Sequence, residues 1–143
     1  ICRVIEERFP ESEIIKALSV TSALRGISEE RFGLVILDMS LPTFDLSGPG
    51  GGGSPQSQGG IEVLRLAKRL KAVMPVIVVT QYPDIEFDGL EVPLADAAEK
   101  LSSRFSANVV GCISYEFDRG TWRGELVSYL GAAAVVGDSG CAC

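Results

Sequence analysis

Three polar residues each close a short apolar run in this chain. Asp38 ends Leu34-Val35-Ile36-Leu37, Thr80 ends Val76-Ile77-Val78-Val79, and Ser114-Tyr115 follow the run 108–113. Apolar runs that are short, β-branched and without alternation are typical of strands buried on both faces of a parallel sheet. The carboxyl ends of such strands lie along one edge of the sheet, where functional groups gather. A carboxylate at that edge can meet a cation and a phosphoryl group, and a neighbouring hydroxyl can hydrogen-bond the same group. Taken alone, an aspartate entering a loop is ordinary; Thr80 at the end of a second run is what makes Asp38 a candidate. The chain has no histidine, which excludes Ser-His-Asp and Cys-His catalysis, histidine-ligated zinc and a histidine phosphodonor. Its chemistry must rest on carboxylates, hydroxyls, thiols or backbone.

Elements that could hold these residues can be read from the spacing. Ile61, Leu64, Ala67, Leu70 and Val73 share one helical face. Leu94, Ala97, Ala98, Leu101 and Phe105 repeat the pattern after Pro93, a good first-turn residue. Trp122, Leu126 and Leu130 form a stripe in a last helix that Asp118 could cap, and 21–31 reads as a weaker helix interrupted by Gly26. Together with a strand signal over 13–20, these helices alternate with strands, which argues for a parallel sheet covered on both faces. The segment 46–60 reads as a flexible glycine-rich loop insertion, without the Gly-Lys-Ser/Thr ending that a phosphate-cradling loop needs. The segment 81–92, acidic at Asp84, Glu86, Asp88 and Glu91, reads as a solvated loop.

At 143 residues the chain suits a single domain, 1–143, since roughly 100–200 residues is the usual range. Thirteen basic against nineteen acidic residues leave a net charge of −6, which disfavours binding to nucleic acid. No run approaches the roughly 18 apolar residues of a membrane span, and the charged start is no signal-peptide core. Four scattered cysteines form no framework of pairs, so a cytoplasmic setting is expected.

The stretch 34–42 (Leu-Val-Ile-Leu-Asp-Met-Ser-Leu-Pro), followed by Gly60-Ile61-Glu62-Val63-Leu64, resembles a response-regulator receiver domain. The runs 76–80 and 110–113 continue the likeness in order, over most of the chain. The resemblance implies a flavodoxin-like, three-layer α/β fold around a parallel sheet of about five strands. It makes Asp38 the phosphoacceptor and Thr80 the hydroxyl that follows the phosphoryl group, with Mg2+ held by Asp38 and the Ser40 carbonyl. It also implies a histidine kinase or phosphotransfer protein as donor and a protein effector, with a homodimer allowed. Any enzymatic activity would be limited to phosphorylation and dephosphorylation of Asp38 itself.

The chain departs from the family at two kinds of position. Tyr115 stands where receivers keep a lysine, and Cys112 where they keep an aromatic switch residue. A phenol carries no positive charge to set beside a phosphoryl dianion. The acidic pair after a first strand is also missing from its expected place. The run 131–139 reads as a small apolar strand ending at Asp138. Joined head to tail, it would lead into residues 1–5 as a receiver's first strand leads into its first helix. A circular permutation, or an equivalent strand from a second copy, would make Asp138 a metal carboxylate; the alternative is a plain Gly/Ala tail. Two readings of function follow: a phosphoacceptor module that signals through protein contacts, or a phosphorylation-independent pseudo-receiver that acts as an interaction domain.

Overall fold

A computed structural model describes residues 1–43, 58–116 and 120–136. In chain order these form α1 (Cys2–Arg8), α2 (Val20–Glu29), β1 (Val35–Asp38), α3 (Gly59–Arg69), β2 (Pro75–Thr80), β3 (Asp84–Phe87), β4 (Leu90–Pro93), α4 (Leu94–Phe105), β5 (Asn108–Ser114) and α5 (Thr121–Val136). Strands β1, β2 and β5 make a parallel sheet with β2 in the middle. Strand side chains alternate between faces, so Val76 and Val78 face one layer of helices and Ile77 the other. All three are at most 2% exposed, which is why this strand reads as an unbroken apolar run.

The first face packs Leu37, Val76 and Val78 against Val63 and Leu64 of α3 and Leu101 and Phe105 of α4, with α2 alongside. The second packs Ile77 and Ile113 against Val4 and Ile5 of α1 and Trp122, Leu126 and Leu130 of α5. The result is the expected α/β three-layer arrangement, with three strands in the parallel sheet among the described residues. No helix among them is long and apolar enough to cross a membrane.

Four expectations are corrected. Residues 12–18 form neither strand nor helix, and Val20 belongs to α2, which Ser19 and Ser22 open with a reciprocal capping box. Strand propensity needs a pairing neighbour, and none lies beside 12–18 among the described residues. The segment 81–92 is no solvated loop: β3 and β4 form an antiparallel hairpin with Phe87 opposite Leu90. Asp88 and Gly89, with φ of 52° and 72°, supply the two positive-φ residues that a tight hairpin turn requires. The hairpin buries Ile85, Phe87 and Val92 on one side and turns Glu86 and Glu91 outward.

The third correction concerns the proposed C-terminal strand. Residues 131–136 continue α5, and Ala133 extends the buried stripe of Trp122, Leu126 and Leu130. Alanine is the strongest helix former, and that preference prevails here over a β-branched pair. Asp138 and Asp118 lie outside the described residues. The fourth is small: Gly59 and Gly60 open α3 rather than ending the insertion, whose residues 46–57 lie outside the described residues.

Phe105 locks the hairpin to the sheet. It is 1% exposed, and its ring lies 5.9 Å from that of Phe87. Phe105→Ala is expected to lower unfolding free energy by about 3–5 kcal/mol in urea titration, with the β3–β4 amides losing hydrogen-exchange protection first.

Candidate functional site

In-register pairing sets Asp38 beside Val79 and Thr80 beside Ser114, so the three expected strand ends share one edge of the sheet. There a cavity of about 610 Å³ opens, lined by Asp38, Ser40, Thr80, Gln81, Tyr115 and Lys16 among others. Asp38 is exposed, and its Oδ1 accepts a 2.8 Å hydrogen bond from the Ser40 N–H. Its second carboxylate oxygen has no partner among the described residues. Thr80 is 2% exposed, and its Oγ1 accepts from the Tyr82 N–H at 3.1 Å. The hydroxyl proton remains available to an acceptor in the cavity. The structure therefore brings Asp38, Thr80 and Ser40 together as the sequence suggested.

The turn after Asp38 is held from three sides. Met39, 2% exposed, donates its N–H to Val79 and accepts from the Gly60 N–H. The first turn of α2 uses its unsatisfied N–H groups on the far end: Val20 donates to the Pro42 carbonyl and Thr21 to that of Thr43. From below, α3 presses so closely that only glycine fits. A Cβ on Gly60 would stand 2.9 Å from the Asp38 carbonyl oxygen and the Met39 Cα, and one on Gly59 would overlap the Leu41 carbonyl. The two glycines that open α3 thus place the helix that props the Asp38 turn.

Tyr115, which stands where the resemblance leads one to expect a lysine, donates its N–H to the Thr80 carbonyl at 2.8 Å. Its ring packs 5.0 Å from that of Trp122, so its role visible here is apolar. Among the described residues lining the cavity, Lys16 is the sole basic side chain. Sequence reasoning passed over it because 13–20 read as a strand, and nothing in linear spacing ties Lys16 to Asp38. Gln81 was passed over as well, although it directly follows Thr80.

Cys112 sits on β5 opposite Val78, and burial pushes its thiol up to about 12. A thiol held protonated is a poor nucleophile. Among the described residues no group of three His, Cys, Asp or Glu side chains could hold a metal. The hard oxygens of Asp38 and the Ser40 carbonyl are nevertheless of the kind Mg2+ takes. That ion is commonly bound through one or two carboxylates, with waters and substrate phosphate oxygens completing its shell.

The chain is similar to two proteins of known designation. It is 33% identical over 115 residues to the Detocs response regulatory protein DtcB of Vibrio alginolyticus, covering 78% of this chain and 76% of that one. It is 25% identical over 128 residues to the protein of the same name from Enterobacter cloacae (strain JD6301), covering 88% and 85%. No family model and no solved structure matches.

Two outcomes are expected at this site. Gly60→Ala should cost about 1–3 kcal/mol in urea unfolding and shift the NMR resonances of residues 38–41. For Cys112, the folded chain keeps a proton that the unfolded chain loses above about pH 9, so stability should fall as pH rises from there toward about 12. Urea midpoints followed upward from about pH 8 should drop more steeply in the parent chain than in Cys112→Ser.

Proposed function

The chain belongs to the response-regulator family of the DtcB proteins, with a receiver-type signalling role, and on that premise we propose that Asp38 is its phosphoacceptor. The observation that carries this reading is the shared cavity into which Asp38 and Thr80 open from the ends of adjacent strands. The free carboxylate oxygen of Asp38 attacks phosphorus, the bond from phosphorus to the donor breaks, and an acyl phosphate remains. Having no histidine, the chain takes the group from outside: a histidine kinase, a phosphotransfer protein or a small acyl phosphate. Asp38 and the Ser40 carbonyl are the residues that would hold Mg2+. When bound, that ion neutralises charge on the phosphoryl oxygens.

The response begins at Thr80. Its hydroxyl serves the Tyr82 N–H in the form described here, and a phosphoryl group on Asp38 adds a strong competing acceptor. Tyr82 and Pro83 lead directly into β3, and Leu94 at the start of α4 donates to the Pro83 carbonyl. A shift of Thr80 toward the phosphoryl group therefore pulls on the hairpin and on α4. The outward hairpin face, with Glu86 and Glu91 exposed, is the surface offered to a protein effector.

A second reading has one observation in its favour. Tyr115 stands in the lysine position with its ring against Trp122, leaving Lys16, from a different segment, as the cation of the cavity. On that reading the chain binds its partner without phosphorylation. Intact-mass measurement separates the two. Incubated with Mg2+ and acetyl phosphate, the parent chain is expected to gain one phosphoryl group and Asp38→Asn none. With Mg2+ and beryllofluoride, the Thr80 and Tyr82 amide resonances are expected to shift in the parent alone. No mass gain and no shift in the parent would leave the phosphorylation-independent interaction domain.

A further inference from the structure

Gln81 is a polar side chain at the sheet border to which the transfer chemistry of Asp38 gives no task. It directly follows Thr80 at the end of β2 and lines the cavity that Asp38 lines. The register pairs Asp38 with Val79, so Gln81 lies two residues beyond that pair, on the neighbouring strand's continuation. Hydrogen bonds fix the backbone on either side of it. The Thr80 carbonyl accepts from the Tyr115 N–H at 2.8 Å, and the Tyr82 N–H donates to Thr80 Oγ1 at 3.1 Å. The residue is exposed, and its carboxamide makes no hydrogen bond among the described residues.

An acyl phosphate on Asp38 would meet water, because Asp38 is exposed as well. Hydrolysis needs a water in line with the bond that breaks, on the face of phosphorus away from the carboxylate. The cavity offers no separate base to activate it: the chain has no histidine, and Asp38 is the sole carboxylate among the described lining residues. What remains is orientation by a neutral group that both donates and accepts. Of the hydroxyl and amide side chains lining the cavity, three are committed elsewhere. Thr80 Oγ1 already accepts from Tyr82. Ser40 belongs to the Asp38 turn, where its N–H holds Oδ1 at 2.8 Å, on the leaving-group side. The Tyr115 ring packs against Trp122. Gln81 comes from the neighbouring strand with donor and acceptor both free.

We propose that Gln81 is the positioning residue for hydrolysis of the Asp38 acyl phosphate, and so sets the lifetime of the phosphorylated state. The inference rests on the phosphoacceptor reading above. Gln81 Oε1 accepts from the water, and Nε2 donates to a phosphoryl oxygen. The water oxygen forms a bond to phosphorus, and the bond from phosphorus to the Asp38 oxygen breaks, its electron pair restoring the carboxylate. Both protons of the water leave on the inorganic phosphate. The amide itself neither gains nor loses a proton.

The test uses the full chain, phosphorylated with Mg2+ and acetyl phosphate and freed of the donor by rapid desalting. Intact mass then follows loss of the phosphoryl group. Gln81→Ala and Gln81→Met, the second keeping the bulk without the amide, are each expected to lose it about 10- to 100-fold more slowly than the parent. Excess hydroxylamine cleaves an acyl phosphate without an oriented water, and is expected to act on the parent and Gln81→Met at the same rate. Hydrolysis at the parent rate or faster in either variant overturns the proposal. So does an equal slowing of hydroxylamine cleavage, which would assign Gln81 to the shape of the site. A parent chain that takes up no phosphoryl group overturns the phosphoacceptor reading and this inference together, whereas uptake followed by equal loss in all three chains overturns this inference alone.

Discussion

The burial of β2 on both faces is the constraint from which the rest of this structure follows. Ile77 and Val78 are fully buried and Val76 nearly so, so neither face of the strand can be left to water. Helices must cover both sides, and strands must pair along both edges. Crossover connections between parallel strands then bring all three carboxyl ends to one border. Asp38 and Thr80 are neighbours because Ile77 is dry, and the chemistry of the border is a by-product of how the core is closed.

The sequence was informative wherever burial was two-sided or periodic. The runs ending at Asp38 and Thr80, the stripes of α3 and α4, and the Trp122-Leu126-Leu130 face all took the form their spacing implied. Errors arose where local preference and tertiary context disagreed. The 13–20 run had the composition of a strand without a ladder to join, so its backbone took no regular form. In 81–92 the acidic residues drew attention from the alternation of Ile85 and Phe87 and from Asp88-Gly89, the stronger signal. In 131–136, helix-forming alanines carry α5 on, and Ala133 continues the stripe beyond Leu130.

The site itself was legible in its residues but not in its supports. Asp38 and Thr80 could be named from their positions after apolar runs. The backbone contacts that fix them could not: the α2 N–H groups on Pro42 and Thr43 join segments about twenty residues apart. The glycine pair 59–60 looked like the end of a flexible insertion, whereas its lack of side chains admits α3 against the Asp38 turn. Composition describes what glycine permits, and only the three-dimensional contact shows whether it is used for freedom or for closeness.

The hairpin is fastened at both ends by bonds of unequal kind. At its base, the Leu94 N–H holds the Pro83 carbonyl; at its tip, Asp88 pairs with Arg104 of α4. The base bond is part of the backbone framework, while the tip pair is about half exposed at its arginine and so open to screening by salt. Midway between them Glu86 and Glu91 face each other across the strands, a like-charge pair that opposes closure. The strip therefore behaves as a spring whose stiffness is set partly by the surrounding electrolyte. Salt loosens the tip clasp and relieves the repulsion at the centre, so the ionic medium acts on the hairpin in two opposite senses at once.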